Sequence, residues 1–330
     1  MIWMLSQDTF EISTEEVQDW IEALGHECVR VNGQDLNGDA AFSLHFDGTD
    51  SEAELELDGR VLRAGDAEAV WWRRWHRFDN LDAVTEVPDA RLRADLRGYL
   101  VQEIRAAGDG LFDLLESRPW LTRPDQTEVN KLAMLRAAAC AGLAVPPTLV
   151  TNDRGRLQEF KDVHGRIITK SIFNGRTFMH EGSSWSLLTA EVGQDDIDRA
   201  PARFFPSLVQ ALTEKELEVR VFYLDGECYS MAIFSQLDAQ TALDFRRYNF
   251  ANPNRFVPYR LPDDVRDAVC RFMASVPLDT GSVDLIRTPQ GEHVFLEVNP
   301  VGQFQMVSVP CNYNLEKKMA EYLIARAHHG

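Results

Sequence analysis

The segment VFLEVNP, residues 294–300, places a carboxylate at Glu297 and an amide at Asn299 two residues apart within an apolar strand, and Asp284 sits in a second such strand, SVDLI. Strand alternation puts Val294, Leu296 and Val298 on one face and Phe295, Glu297 and Asn299 on the other. If the turn over Pro289–Glu292 is symmetric, with Thr288 opposite His293, Asp284 lies directly opposite Glu297. Like charges at such a cross-strand position repel. Two carboxylates and an amide oxygen on one patch are explained by a shared hard cation. An all-oxygen set suits Mg²⁺, which keeps waters and bridges substrate phosphates. The alternative is a solvated acidic hairpin, the usual fate of Asp and Glu; the apolar strands around both acids favour the metal.

Other charged residues fall into similar settings. Glu218 and Arg220 share one face of the strand LEVRVFYL, with Leu217, Val219, Val221 and Tyr223 turned toward a core. They form either a plain strand salt bridge or a site in which a fixed arginine holds developing phosphoryl charge. Lys170 ends the apolar strand GRIITK just before a loop containing Gly175, and Lys131 lies in the helical stretch VNKLAML. Both are ordinary surface positions for lysine, and they stand out because the chain has only six lysines, the first at 131. DFRRYNFANPNRFVPYR gathers Arg246, Arg247, Arg255 and Arg260 among aromatics and prolines. This is either a loop with solvated guanidinium groups or a surface for carboxylates, which planar arginine forks suit.

The elements that must position these residues follow from periodicity. Ile2–Leu5, a helix started by Thr14 with Val17, Trp20, Ile21 and Leu24 as its stripe, and Cys28–Val31 read as β-α-β, which implies a parallel sheet. Strands Ala41–Phe46 and Ala53–Leu57 follow, with Asp58-Gly59 turning into Val61–Leu62, then strand Ala69–Trp72 and a long helix Leu92–Leu115. A boundary is expected near Ser117–Thr122. Beyond it come a helix from about Asp125 to Gly142, the extended Val145–Val150, a helix Asp153–Val163, strand Arg166–Lys170 and a Gly- and Ser-containing stretch Asn174–Ser184. Strands Ser207–Leu212, Glu218–Leu224 and Cys228–Gln236, a helix Pro262–Val276, the hairpin Ser282–Thr288 with His293–Asn299 and a helix Asn314–His328 complete an α/β (α+β) chain.

Composition narrows the function. The 330 residues suit two domains or one composite. With 34 basic and 52 acidic residues the formal charge is −18, and residues 1–120 carry most of it: 11 arginines, no lysine and 26 acids. An acidic first third does not track phosphates, so no nucleic-acid partner is expected, and the arginine–aromatic cluster VWWRRWH at 70–76 is weak support for one. Five scattered cysteines without Cys-x-x-Cys spacing argue against disulfides and zinc and for the cytoplasm. No signal peptide is read in MIWMLSQDTFEIS. The longest uncharged run, Val298–Leu315, has three asparagines and two prolines, so no membrane partner is expected.

In order along the chain, NKLAMLRAAACAGLAVPPTLVTN, IITKSI, SLVQAL with ELEVRVFYLDG, GSVDLI and FLEVNPVGQF resemble the landmarks of ATP-grasp ligases. The likeness is closer to the peptide maturases that make graspetides, the ω-ester- and ω-amide-bridged peptides of the microviridin type. SMAIFSQ, DFRRYN, PNRFVPYRLP, LEVNPVGQF and MVSVPCNYNLEKKMAEYL resemble the maturase of grasp-with-spasm systems. It is strong from about residue 120 onward and looser before, where STEEVQDWIEALG and AVWWRRW still fit.

The resemblance implies an ATP-grasp fold with an N-terminal pre-ATP-grasp domain over 1–120, a central subdomain over 121–206, and a C-terminal subdomain over 207–330 with the nucleotide and Mg²⁺ site. It implies that Lys131 and Lys170 hold nucleotide phosphates, that Gln210, Ala211 and Leu212 form a hinge meeting adenine through its backbone, and that Glu218 falls near the ribose-binding acid. Arg220 matches the arginine that steadies the transferring phosphoryl group, and Asp284, Glu297 and Asn299 match the Mg²⁺ ligands. GQFQM departs from the pattern, which has a second small residue at Gln305. The implied activity is ATP-dependent, ADP-forming macrocyclisation of a ribosomal precursor peptide, with a leader and an acidic, hydroxyl-bearing core. Asp or Glu side chains become acyl phosphates and are joined to Ser/Thr hydroxyls or Lys amines. Arg246 or Arg247 would steer the acidic core, and a homodimer is implied. The competing expectation is an ATP-grasp ligase that adds a free amino acid to a carboxyl group.

Overall fold

The computed structural model describes residues 1–330 apart from 9–10, 39, 76–83, 174, 176, 181–182, 238–248, 250 and 330. The chain divides into two units, Met1–Thr127 with Asn314–Gly330, and Glu128–Tyr313.

The first unit opens with β1 (Ile2–Ser6), α1 (Ile12–Ala23) and β2 (Cys28–Asn32). An antiparallel meander follows, β3 (Ala41–Asp47), β4 (Asp50–Leu57) and β5 (Arg60–Arg63). Its second turn is the expected Asp58-Gly59, both residues at positive φ (52° and 74°), the geometry a tight hairpin turn requires. Then come β6 (Ala69–Trp72), α2 (Ala90–Leu114, capped by the Asp89 carboxylate on the Leu92 amide at 2.8 Å) and β7 (Trp120–Leu121). Strands β2-β1-β6-β7 form the parallel sheet expected from the opening β-α-β unit. Over its described residues, 70–75, the arginine–aromatic cluster is core rather than a binding surface. Trp71, Trp72 and Trp75 are buried, and Arg73 Nε lies 3.0 Å from Oε1 of the equally buried Glu11. Burial pulls the Arg73 guanidinium down to about 10 despite that partner.

The second unit begins with α3 (Lys131–Cys140), which starts later than the expected Asp125 because Asn130 is its cap. The Asn130 side chain accepts from the Leu132 and Ala133 amides at 3.0 and 3.1 Å, while Pro124–Gln126 make a separate 3₁₀ turn. It continues through β8 (Thr148–Asp153), α4 (Arg154–His164), β9 (Ile167–Lys170), β10 (Thr177–His180), β11 (Ser183–Ser186), β12 (Ala190–Glu191), α5 (Gln194–Arg199) and β13 (Arg203–Ala211). The sheet β12-β9-β13-β8 packs Ile167 and Val209 against Leu157 of α4 and Ile197 of α5, while β10 and β11 pair as a hairpin within the Gly- and Ser-containing stretch.

Next come β14 (Leu217–Leu224), β15 (Glu227–Ile233), β16 (Phe256–Tyr259), α6 (Asp263–Ser275), β17 (Thr280–Arg287), β18 (His293–Asn299) and α7 (Gln305–Cys311). The antiparallel sheet β16-β15-β14-β17-β18 turns Val219, Val221, Val283, Leu285 and Phe295 onto Phe272 and Met273 of α6 and Leu135 of α3, the main core of this unit. The last helix, α8 (Leu315–His329), belongs to the first unit and packs on α1. Among the described residues no helix is long and apolar enough to cross a membrane.

Candidate active site

Strands β17 and β18 set Asp284 directly opposite Glu297, but not by the symmetric turn the spacing suggests. At the turn His293 pairs with Arg287, not Thr288, and Leu285 with Phe295; a bulge at Leu296 then shifts the register by one residue. The bulge therefore restores the Asp284–Glu297 pairing. It also overturns the expected faces: Phe295 joins Val298 in the core, and Leu296 joins Glu297 on the wall of a cavity.

The two acids meet cations from other strands and helices. Arg220, on β14 and paired with Asp284 in register, places Nη1 3.0 and 3.1 Å from the two Asp284 carboxylate oxygens. Lys131 Nζ, at the first residue of α3, lies 3.2 Å from Glu297 Oε2. All four side chains are at most 17% exposed. The repulsion of two facing carboxylates is thereby offset, at the desolvation cost that accompanies buried charge.

Glu218 and Arg220 do share a strand face, yet they do not pair with one another. Arg220 goes to Asp284, whereas Glu218 Oε1 is ion-paired with Lys215 and accepts from the Ser235 hydroxyl at 2.7 Å. Leu217, Val219, Val221 and Tyr223 face the core as expected.

A cavity of about 460 Å³ lies within the second unit. Lys170, Gln210, Ala211, Leu212, Glu218, Asp284 and Glu297 all line it. The Gln210 side chain turns away from solvent to donate to the Thr148 hydroxyl at 2.8 Å. The Ala211 amide donates to Pro147 (3.0 Å) and the Leu212 amide to Arg166 (2.9 Å), so the sheet already takes these two donors. On the wall Arg166 forks onto Glu191 with two 2.8 Å bonds, which hold the guanidinium above and the carboxyl below their ordinary ranges. Asn299, opposite Ser282, does not line the cavity. Arg246 and Arg247 lie outside the described residues. Of the other arginines in that stretch, Arg255 stacks over Phe234, 4.9 Å from the ring centre.

Sequence reasoning missed Arg166, Lys215 and Gln236, which also line the cavity, and Ser235 behind it. The scarcity of lysine was a usable signal for Lys215. The strand expected over Cys228–Gln236 ends at Ile233, and Ser235 and Gln236 lie on a 3₁₀ turn beyond it.

Residues 1–128 match the family model described as the MvdD pre-ATP grasp domain. Among solved structures, the chain is similar to a RiPP-associated ATP-grasp ligase from Chryseobacterium gregarium in complex with ADP and a leader and core peptide. That match has 24% identity and a TM-score of 0.86, over 98% of this chain and 96% of that one. The chain has the ATP-grasp fold. Two Microcystis aeruginosa macrocyclases share this ATP-grasp architecture. One is MdnC, bound with precursor peptide MdnA (23% identity, TM-score 0.84, covering 98% and 99% of the two chains); the other is MdnB (27%, 0.77, 98% and 98%). No curated protein matches the chain. These matches bear out the resemblance to peptide-maturing ATP-grasp ligases drawn from the motifs.

Proposed function

We propose that the protein is an ATP-dependent, ADP-forming ligase that closes rings within a ribosomally made precursor peptide, with a leader and an acidic, hydroxyl-bearing core. The observation that carries this reading is the facing pair Asp284 and Glu297, each matched by a cation and set on the wall of one cavity in an ATP-grasp fold. Its whole-length likeness to peptide-bound ligases and macrocyclases supports the substrate class.

The chemistry follows from carboxylate reactivity. A carboxylate does not acylate an alcohol unaided. An Asp or Glu side chain of the peptide therefore attacks the γ-phosphorus of ATP, releasing ADP and forming an acyl phosphate. A Ser or Thr hydroxyl, or a Lys amine, of the same peptide then attacks the acyl carbon, expelling phosphate and giving an ester or amide. Lys170 and Arg220 are assigned to offset charge on the transferring phosphoryl group, and Lys131 to hold nucleotide phosphates. Gln210–Leu212 is the adenine-side segment and Glu218 the sugar-side acid. Two carboxylates, with Asn299 two residues along the same strand, fit Mg²⁺, which needs few protein ligands when phosphates supply the rest; among the described residues no larger His/Cys/Asp/Glu cluster competes. Asp284, Glu297 and Asn299 would hold the ion, which when bound supplies charge neutralisation at the phosphates.

Arg246 and Arg247 are assigned to the acidic core of the peptide. The five free cysteines fit a reducing cytoplasm, and a homodimer is the assembly expected of this type. The test combines the protein, ATP, Mg²⁺ and a candidate precursor peptide with an acidic, hydroxyl-rich core. Loss of one water per bridge supports cyclisation, whereas a gain in peptide mass would mean addition of a free amino acid.

A further inference from the structure

Lys215 is a second lysine at the cavity wall, after Lys170, on the segment joining β13 to β14. Its side chain is 8% exposed and its Nζ is ion-paired with Glu218 Oε1. The fully buried Ser235 donates its hydroxyl to that same oxygen. Both anchors therefore converge on one oxygen of a carboxylate that is itself buried. Among the described residues Oε2 has no donor, and Glu218 lines the cavity, so this oxygen is left for a ligand.

We propose that Lys215 and Ser235 are positioning residues that hold Glu218 as a one-sided acceptor for the sugar hydroxyls of the nucleotide, and that the three residues together set a preference for ribonucleotides. This rests on the nucleotide reading above and extends it. Lys215 supplies the opposite charge that offsets the desolvation of the Glu218 side chain. Two anchors on Oε1 remove rotamer freedom before the ligand arrives, which preorganises Oε2. The ligand group there is a neutral hydrogen-bond donor, because an anionic phosphate would be repelled. Position agrees: Glu218 precedes Arg220 by two residues on the same face, about 7 Å along the strand. Arg220 grips Asp284, and Glu218, Asp284 and the Gln210–Leu212 segment line the same cavity.

The test measures calorimetric affinities of the full-length protein for ATP and for 2′,3′-dideoxyATP in Mg²⁺. The parent is expected to favour ATP about tenfold or more, the scale of hydrogen bonds to a charged group. Lys215→Met and Ser235→Ala should narrow that ratio by weakening ATP while leaving the dideoxynucleotide near its parental affinity, and Lys215→Arg should restore it. Equal weakening of both nucleotides by Lys215→Met would place the lysine on the phosphates and overturn the proposal. Ser235→Ala keeps the ion pair, so it carries the test if Lys215→Met does not fold; an unchanged ratio in it also overturns the proposal. A parent that binds both nucleotides equally sinks this inference alone. A parent that binds no ATP sinks the nucleotide reading with it.

Discussion

Lys131 Nζ lies 3.2 Å from Glu297 Oε2, from the first residue of a helix to the strand that carries the second acid. A cation at a helix N-terminus opposes the helix dipole, so α3 does not favour a lysine there on its own account. Glu297 supplies the reason, and in this arrangement Lys131 occupies the carboxylate that Mg²⁺ would need. Lys131→Met should therefore bind Mn²⁺ or Mg²⁺ more tightly without nucleotide, yet bind ATP about tenfold more weakly through loss of a charge-assisted phosphate contact. Metal titration followed by calorimetry with ATP checks both signs; nucleotide-free metal affinity equal to the parent's would count against the exchange.

Arg220→Met removes the two bonds that Arg220 makes to the largely buried Asp284 carboxylate. The expected cost is about 3–5 kcal/mol of unfolding free energy, that of breaking a buried pair from one side. The double variant Arg220→Met with Asp284→Asn should recover much of that stability and none of the ligase activity. Denaturant melts together with peptide turnover separate the two effects.

His293 sets a pH dependence of folding. Its imidazole hydrogen-bonds the Tyr259 hydroxyl at 2.9 Å, and burial, reinforced by Arg287, pulls its pKa below 6.5. Asp264 also faces it and acts in the opposite sense. Because the folded state resists protonation, stability is full above pH 6.5 and falls as the pH drops from there toward the folded-state value. Melts of the parent from pH 8 to 5 should show this slope, and His293→Gln should flatten it.

Gly302 follows the acid-bearing strand and packs so close to Ser282 that a Cβ would overlap its side chain. Gly302→Ala should cost about 1–3 kcal/mol, the range for overpacking. Ser282→Gly in the same chain should return part of it. Thermal melts of the single and double variants decide this, and full additivity would mean that the clash is not the cause.

Much of the second unit was legible because its strands are apolar runs with charged residues at single positions. LEVRVFYL and SVDLI announce both their cores and their chemistry, and the Asp58-Gly59 turn and the β-α-β opening carry their own signatures. What stayed hidden depends on contacts between distant segments. Nothing local tells that Arg220 abandons Glu218 for Asp284, or that Ser235 reaches back 17 residues to Glu218. VWWRRWH reads as surface chemistry until Glu11 is seen to neutralise Arg73 inside the fold. The spacing starts α3 near Asp125, but the acceptor side chain of Asn130, a better cap than its neighbours, sets the first turn at Lys131.

The bulge at Leu296 gives β18 two phases in seven residues, one serving the core up to Phe295 and one serving the cavity from Glu297. Leu296 is the one residue between them without a partner on β17. Without it, alternation alone would keep Phe295 in the core, Glu297 opposite Asp284 and Val298 in the core again. A substitution at Glu297 removes one ligand, whereas loss of Leu296 leaves both acids where they are. The hairpin thus carries a spare link beside its most exacting position, and any other single-residue deletion between Phe295 and Val298 would cost it a core or a reactive side chain.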